Sequence, residues 1–254
     1  MTDEARRVRI DVAYDGTDFA GWQLQREQRT VQGELERVLT DLQGGERVKL
    51  RGAGRTDSGV HARGQVADCR IATRLDDATI ERALSRMLPS DVRPLAVATC
   101  AEEFHSQMSA RSKRYRYRID RSPHGDPFQA RYALHHRHRL DPGLIEQALR
   151  SLPGRRDWSG FAASACEKVD RIRTLTGARL VRSEACWELH FAADGFLQYM
   201  VRNIVGTLLE IGGERMPVGI IEEILATGDR NLGGPTAAAH GLCLMGVRYS
   251  EDGP

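Results

Sequence analysis

Asp57 stands at the centre of the most glycine-rich segment of the chain, RGAGRTDSGVHARGQVADC at residues 51–69. Arg55 lies two residues before it and His61 four residues after it. Four glycines surround it: Gly52, Gly54, Gly59 and Gly64. Glycine allows positive φ and close approach of a second backbone, so this loop could present Asp57 to a ligand. A turn without function is the alternative, and the phosphate-binding patterns G-x-x-x-x-G-K-[ST] and G-x-G-x-x-G are absent.

A second candidate set lies in KRYRYRID at residues 113–120 and in MVRN at residues 200–203. By the two-residue period of a strand, Tyr115 and Tyr117 share one face, and three arginines share the other: Arg114, Arg116 and Arg118. An inward tyrosine face packs as core and can still line a cleft. Arg202 stands among apolar residues, where an arginine is better explained by a charge partner than by a place on a helix surface.

The charge of the chain is unevenly distributed. Its 37 Lys plus Arg against 35 Asp plus Glu give a net charge of +2, which taken alone argues against a nucleic-acid-binding domain. Residues 47–70, however, hold six basic and two acidic groups, and residues 104–140 hold nine and two. Two basic segments in a neutral chain favour a groove for a polyanion, and solvated strand faces are the alternative.

The composition is that of a folded globular protein, with 41% hydrophobic and 28% charged residues in 254. We expect neither a secretory signal nor a membrane span, because no suitable apolar run occurs. Five scattered cysteines without a CxxC pair favour reduced thiols, and we expect a cytoplasmic protein. No cysteine or acid stands beside His135, His136 and His138, so we expect no metal site there.

The periodicities place these residues on an α+β framework. Strand patterns fall at residues 8–14, 48–52, 64–71, 94–100, 113–120, 178–182, 186–193 and 244–249. Helical patterns begin after Thr30, at Ile80, at Asp141-Pro142, at Phe196 and at Pro217. Interspersed strands and helices favour α+β with a mixed sheet. We divide the chain into an N-terminal half, residues 1–105, with the Asp57 loop, and a C-terminal half, residues 106–254, with the tyrosine strand and the MVRN helix.

Five segments, in order, resemble the motifs of the TruA family of tRNA pseudouridine synthases. GRTDSGVHARGQV at residues 54–66 is similar to the catalytic motif of that family. The other four are YDGTDFAGWQLQ (14–25), FHSQMSARSKRYRYRI (104–119), GFLQYMVRNIVG (195–206) and TAAAHGLCLMGVRY (236–249). Two departures stand out: Gln107 replaces an arginine, which we expect to weaken the grip on RNA, and Ala238 replaces a proline, which we expect to loosen that turn.

The resemblance implies an isomerase that converts uridine to pseudouridine at positions 38–40 of the tRNA anticodon stem-loop. It implies no cofactor and no metal, because the reaction involves neither net redox change nor hydrolysis. It also implies two ferredoxin-like halves with antiparallel or mixed sheets, joined around a central basic cleft, and a homodimer. The expected partner is therefore tRNA.

Roles for individual residues follow from the resemblance. Asp57 is the catalytic nucleophile or base, Tyr115 stacks on the target base and is a candidate for proton transfer, and Arg202 supplies the charge that keeps the carboxylate ionised. The expected RNA contacts are Arg55, Arg111, Lys113, Arg114, Arg116 and Arg118. The expected supports of the catalytic loop are Tyr14, Asp15, Trp22 and Gln23, although Trp22 fits a plain core residue equally well.

Two other functions fit parts of the pattern. A non-catalytic RNA-binding module would keep the basic strands and use Asp57 structurally, but binding alone would not require the GRTD loop together with Arg202. A phosphotransferase or hydrolase with an aspartate nucleophile would need a second carboxylate cluster or a DxD pattern for Mg²⁺, and neither is present.

Overall fold

The computed structural model describes residues 4–163 and 169–250. Two compact units are present: unit 1 runs to Arg111 and resumes at Leu244, and unit 2 comprises Ser112–Cys243. The sequence analysis divides the chain after residue 105 and so assigns the last strand to the C-terminal half. A pattern read along the chain does not show that a strand returns to an earlier unit. Within the described ranges, no helix has the length and apolarity that crossing a membrane requires.

Unit 1 is an antiparallel sheet with two helices. Its elements are β1 (Arg6–Tyr14), α1 (Val31–Leu42), β2 (Arg51–Gly52), β3 (His61–Ile71), α2 (Asp77–Met87) and β4 (Val92–Thr99), and β10 (Leu242–Arg248) joins from Leu244 onward. The sheet order is β4-β1-β3-β10, and β2 also pairs with β3. In register, Val8 of β1 lies opposite Cys69 of β3 and Thr99 of β4. A βαββαβ chain with β1 between β4 and β3 is the ferredoxin-like arrangement.

Unit 2 repeats most of this order. Its elements are β5 (Ser112–Asp120), β6 (Leu134–His135), α3 (Pro142–Arg150), β7 (Gly154–Asp157), β8 (Ile172–Arg182), β9 (Cys186–Ala193), α4 (Met200–Gly212) and α5 (Ile220–Thr227). The antiparallel order is β5-β9-β8-β7, and β6 pairs with β5 in parallel. The series β5-α3-β8-β9-α4 matches β1-α1-β2-β3-α2 of unit 1. The predicted α+β class, with antiparallel and mixed pairing, is confirmed.

Local signals explain where the best-predicted elements begin. Thr30 accepts the Gly33 N–H and so starts α1, whose apolar stripe is buried. Asp141 does the same for α3, accepting N–H groups of Gly143 and Leu144. Helix α5 ends at Gly228, which has a φ of 69°.

Several predicted boundaries are wrong; β8, for example, begins at Ile172 rather than at residue 178. Two others lie near candidate site residues. The strand predicted at residues 48–52 is reduced to Arg51–Gly52, although Val48 and Leu50 are buried as apolar residues. The helix predicted from Phe196 begins at Met200, because Tyr199 has a φ of 62° and cannot continue a right-handed helix. The apolar pattern of residues 196–199 reflects burial of Leu197 rather than helix.

Candidate active site

The Asp57 loop of unit 1 connects β2 to β3 and is tied to the N-terminal motif. Asp57 is half-buried and Arg55 is exposed, whereas Thr56 between them is buried. The hydroxyls of Thr56 and Tyr14 form a hydrogen bond of 2.8 Å. The Thr56 carbonyl accepts the Trp22 N–H at 3.0 Å. The backbone on the N-terminal side of Asp57 is therefore fixed by two of the residues predicted to support the loop.

Two glycines make this close packing possible. A Cβ on Gly52 would lie 2.5 Å from ring atoms of Trp22, so the indole packs directly against the strand that leads into the loop. Gly21 has a φ of 104°, and a Cβ there would approach the Thr56 carbonyl oxygen to 2.7 Å. Trp22 is 1% exposed, so it is both a core residue and a contact of the loop.

Asp15 and Gln23 take different places from Tyr14 and Trp22. Asp15 Oδ1 accepts the N–H and hydroxyl of Thr17, which closes the turn after β1. His61 Nδ1 accepts the Gly16 N–H at 3.0 Å and lies 3.1 Å from Asp15 Oδ1. Gln23 is half-buried at the point where the chain becomes exposed.

Gln65 is a loop-supporting residue that pattern reasoning missed. Its side chain is fully buried, and its amide donates to the Gly54 carbonyl at 2.8 Å. A buried amide hydrogen-bonded to a loop backbone is costly to remove. The signal in the sequence was its position inside the GRTDSGVHARGQV motif.

Strand β5 of unit 2 has one buried and one accessible face, as its alternation predicts. Tyr115 is 8% exposed, and its ring meets Phe196 edge to face with centroids 5.0 Å apart. Tyr117 is fully buried and donates its hydroxyl to the Ala238 carbonyl at 2.9 Å. Burial raises the pKa of Tyr117, and the charge of Arg202 only partly opposes this. Tyr117 is therefore a core residue with a neutral hydroxyl.

The basic side chains predicted to contact RNA differ in their exposure and in their ion pairs. Arg111 is exposed at the end of the first part of unit 1, and Lys113 is half-buried on the tyrosine face of β5. Arg114 is exposed on the other face. Arg116 and Arg118 are half-buried there and pair with Glu188 of β9 at 3.3 and 3.4 Å. The sequence alone does not predict Glu188 as the partner of these arginines, because contacts between neighbouring strands depend on their register.

Arg202 projects from the first turn of α4 and is not a free surface arginine. Its Nε donates to the Ala237 carbonyl at 2.8 Å, and its guanidinium lies 4.8 Å from the ring centroid of Tyr199. The next residue, Asn203, is 1% exposed and donates to the Phe161 carbonyl while accepting from Arg230 and Thr236. The MVRN helix is thereby anchored to the segment that carries Ala237.

Comparison with known sequences identifies the group to which these features belong. The sequence model of a family described as tRNA pseudouridine synthase matches residues 11–107 and 148–250. The chain belongs to this family. The matched ranges include the Asp57 loop and the MVRN helix.

Individual relatives agree with this assignment. Two proteins named tRNA pseudouridine synthase A are similar to the chain: one from Streptococcus pneumoniae (strain 70585), 41% identical over 247 residues, and one from Streptococcus gordonii (strain Challis), 42% identical over 248. Each alignment covers 96% of this chain and 99% of the relative. A solved Cbf5-Nop10-Gar1 complex aligns with 80% of this chain and 45% of its own at a TM-score of 0.35 and 15% identity, a likeness too low to support a conclusion.

The two departures from the pattern of this synthase family, at Gln107 and Ala238, leave the local structure intact. Gln107 is exposed, whereas its neighbour Ser106 is fully buried and donates its N–H to Asp68 Oδ1 at 2.9 Å. Ala238 has a φ of −57°, which is the value that proline imposes. Its carbonyl also holds the Tyr117 hydroxyl, so this turn keeps its conformation without the proline.

The histidines after β6 and the buried Cys69 are also candidate reactive groups. Across residues 4–163 and 169–250, no cluster of three His, Cys, Asp or Glu could hold a metal ion. The His136 ring lies 5.7 Å from that of His138, and burial lowers the pKa of His136. Cys69 is buried, and burial raises its pKa to about 12, so it is an unreactive thiol. Cys166 lies outside the described residues.

Proposed function

We propose that this chain isomerises uridine to pseudouridine at positions 38–40 of the tRNA anticodon stem-loop. Membership of the tRNA pseudouridine synthase family supports the reaction. The observation that carries the site is Asp57 itself, a half-buried carboxylate whose neighbour Thr56 is held by the Tyr14 hydroxyl through its side chain and by the Trp22 N–H through its carbonyl. A rigid loop can hold a carboxylate in the geometry that a reaction requires.

The chemistry assigns Asp57 the role of nucleophile or base. The glycosidic bond between C1′ and N1 of uridine breaks, the base turns, and C1′ bonds to C5; C5 then loses its hydrogen as a proton while N1 takes up a proton, so the product is an isomer of the substrate. Exclusion of water by the stacked base disfavours the ionised carboxylate, so a nearby cation is needed, and Arg202 supplies it. Tyr115 stacks on the target base, an interaction worth about 1–3 kcal/mol.

The basic side chains position the tRNA rather than read its sequence. Contacts to phosphates fix register and orientation and carry no base information. The exposed arginines Arg55, Arg111 and Arg114 meet phosphates directly, and Lys113 adds positive charge. Arg116 and Arg118 contribute when phosphate replaces Glu188 as their partner.

The enzyme works as a homodimer in the cytoplasm. One tRNA is larger than one protomer, so a second subunit can support the part of the tRNA that the first does not reach. Scattered cysteines agree with a reducing compartment. Sedimentation of the protein with and without tRNA tests the dimer.

Tritium release from 5-³H-uridine-labelled tRNA tests the reaction. Asp57→Asn and Asp57→Ala are expected to lower the rate by at least about 10²–10⁴-fold. Asp41→Asn, which changes an exposed carboxylate of α1, is the matched control and is expected to release tritium normally. Undiminished release from either Asp57 variant would refute the assignment.

The same preparation distinguishes the enzyme from a non-catalytic RNA-binding module. A binding module would bind tRNA but release no tritium even as wild type. To test the positions, uridines 38, 39 and 40 are replaced by cytidine singly and together. Full release from the triply substituted tRNA would place the reaction elsewhere.

A further inference from the structure

Tyr199 has a backbone conformation that is unfavourable for tyrosine. Its φ of 62° and ψ of −1° lie in the left-handed region. Glycine and asparagine adopt this region readily, whereas other L-residues are strained there. A large aromatic residue at this point therefore needs another physical reason.

The surrounding chain prevents the strain from relaxing. Leu197 and Met200, on either side, are 5% and 0% exposed. The Gln198 carbonyl accepts the Ala163 N–H at 2.9 Å, and the Tyr199 carbonyl accepts the Asn203 N–H at 2.8 Å as the first bond of α4. Rotation of φ at Tyr199 would break these contacts, so the helix start imposes the conformation.

Burial does not compensate for this strain. The side chain of Tyr199 is 37% exposed and borders an open cavity of about 610 Å³ whose lining includes Asn203 and Arg230. Its specific contact is with Arg202, whose guanidinium carbon lies 4.8 Å from the ring centroid. That distance is within the range of a cation–π interaction.

We propose that Tyr199 is a positioning residue for Arg202. The guanidinium is restrained by the Tyr199 ring and, through Nε, by the Ala237 carbonyl. An arginine side chain has several rotatable bonds, and two restraints leave it few orientations. The inference rests on the role proposed above for Arg202, and it predicts an effect on the rate of reaction in the bound complex rather than on tRNA affinity.

Three substitutions at position 199 separate the ring from the backbone. Tyr199→Phe keeps the ring, and we expect a single-turnover rate within about twofold of wild type. Tyr199→Leu keeps the strain but removes the ring, and Tyr199→Asn removes both. We expect both to lower the single-turnover rate roughly two- to fivefold, the fold-change that one such interaction provides, with the Kd for tRNA unchanged.

Thermal unfolding supplies the readout that a merely structural residue would not reproduce. Relief of the left-handed strain should leave the Tm of Tyr199→Asn equal to wild type or raise it by about 2–4 °C. Tyr199→Asn is thus expected to be slower yet at least as stable. In an Arg202→Met background, which has no cation for the ring to hold, Tyr199→Asn should cause no further loss of rate, because the effect passes through the charge of Arg202.

Three results would overturn the inference. They are a Tyr199→Asn enzyme as fast as wild type, a Tyr199→Phe enzyme as slow as Tyr199→Leu, or a loss that appears in the Kd for tRNA. Arg202→Ala separates this failure from failure of the proposed function. If Arg202→Ala is fully active, the role of Arg202 falls; if it is slow while Tyr199→Asn is fast, only the role of Tyr199 falls.

Discussion

Glu188 of β9 pairs with Arg116 and Arg118, two of the arginines that we propose as phosphate contacts, and this predicts an unusual effect of its removal. It lies directly across from Arg118 in the β5–β9 register, and Arg116 lies across from His190. Its carboxylate is 3.3 Å from Arg116, 3.4 Å from Arg118 and 3.1 Å from His190. Tight binding of a phosphate to these arginines therefore requires their ion pairs with Glu188 to break.

The Nε atoms of Arg116 and Arg118 also favour a phosphate over Glu188 as their partner. Both are buried and have no hydrogen-bond partner, although Arg118 Nε lies within ion-pair distance of Glu188. Glu188 therefore balances positive charge on these arginines, but the Nε–H of each arginine has no hydrogen-bond acceptor among the described residues. An oxyanion with more oxygens than one carboxylate can satisfy both.

The expected change in tRNA affinity follows from the strength of the two ion pairs. Partly exposed ion pairs contribute about 0.2–1 kcal/mol each, so releasing two of them removes an opposing term of about 0.4–2 kcal/mol. Glu188→Gln is therefore expected to tighten tRNA binding by roughly two- to thirtyfold. Conversely, replacing Arg116 and Arg118 together by glutamine should flatten the dependence of log Kd on log salt by about 1.4–1.8, since each phosphate contact contributes about 0.7–0.9.

A matched control exists on the other face of the same sheet. Arg182 of β8 pairs with Glu146 of α3 at 3.6 Å, and strand alternation places it on the opposite face from Arg179. Filter binding of tRNA from 50 to 300 mM salt compares Glu188→Gln with Glu146→Gln, and the arginine double variant with Arg182→Gln. If the two glutamate variants bind alike and the double variant keeps the wild-type slope, the face is only an internal ion-pair network.

Two further predictions concern the framework of unit 1. Tyr14→Phe removes the hydrogen bond to Thr56 in the Asp57 loop, and a loss of about 1 kcal/mol should lower the Tm by about 2–4 °C in a thermal melt. Burial raises the pKa of Asp68, but hydrogen bonds from Arg51 and Ser106 outweigh it and hold that pKa below 3.8. The stability that Asp68 contributes is then present above pH 3.8 and lost as the pH falls below it. In urea unfolding, the free energy of unfolding of Asp68→Asn should therefore fall short of wild type by less and less towards about pH 3. A difference that stays constant with pH would contradict this.

The elements that sequence reasoning predicted best are those whose signals are local. Helix α1 is specified by the Thr30 cap, an apolar stripe and two glycines, all within residues 30–45. The alternation in β5 likewise needs only its own residues, and it separated Tyr115 from Arg116 correctly. Such signals are contained in a few turns or pleats of backbone, so neighbouring sequence is sufficient.

The features that were missed depend on contacts distant in sequence. The first turn expected in α4 is lost at Tyr199, where the buried residues on either side impose a left-handed backbone. Gln65 looks like a surface residue until its bond to Gly54 is seen. The return of the chain to unit 1 at Leu244 has no local signal at all. Each of these is decided by packing, which a periodicity cannot show.

The charge on the arginine face of β5 illustrates why location matters more than composition. Counting residues gives this strand three arginines on one face, but Glu188 arrives from β9, 70 positions after Arg118 in the chain, and cancels part of that charge. His190 adds none near neutral pH, because burial and the neighbouring Arg179 lower its pKa. Arg114 alone of the three is exposed. We therefore expect tRNA to contact Arg114 first, and we expect Arg116 and Arg118 to bind a phosphate only as it displaces Glu188.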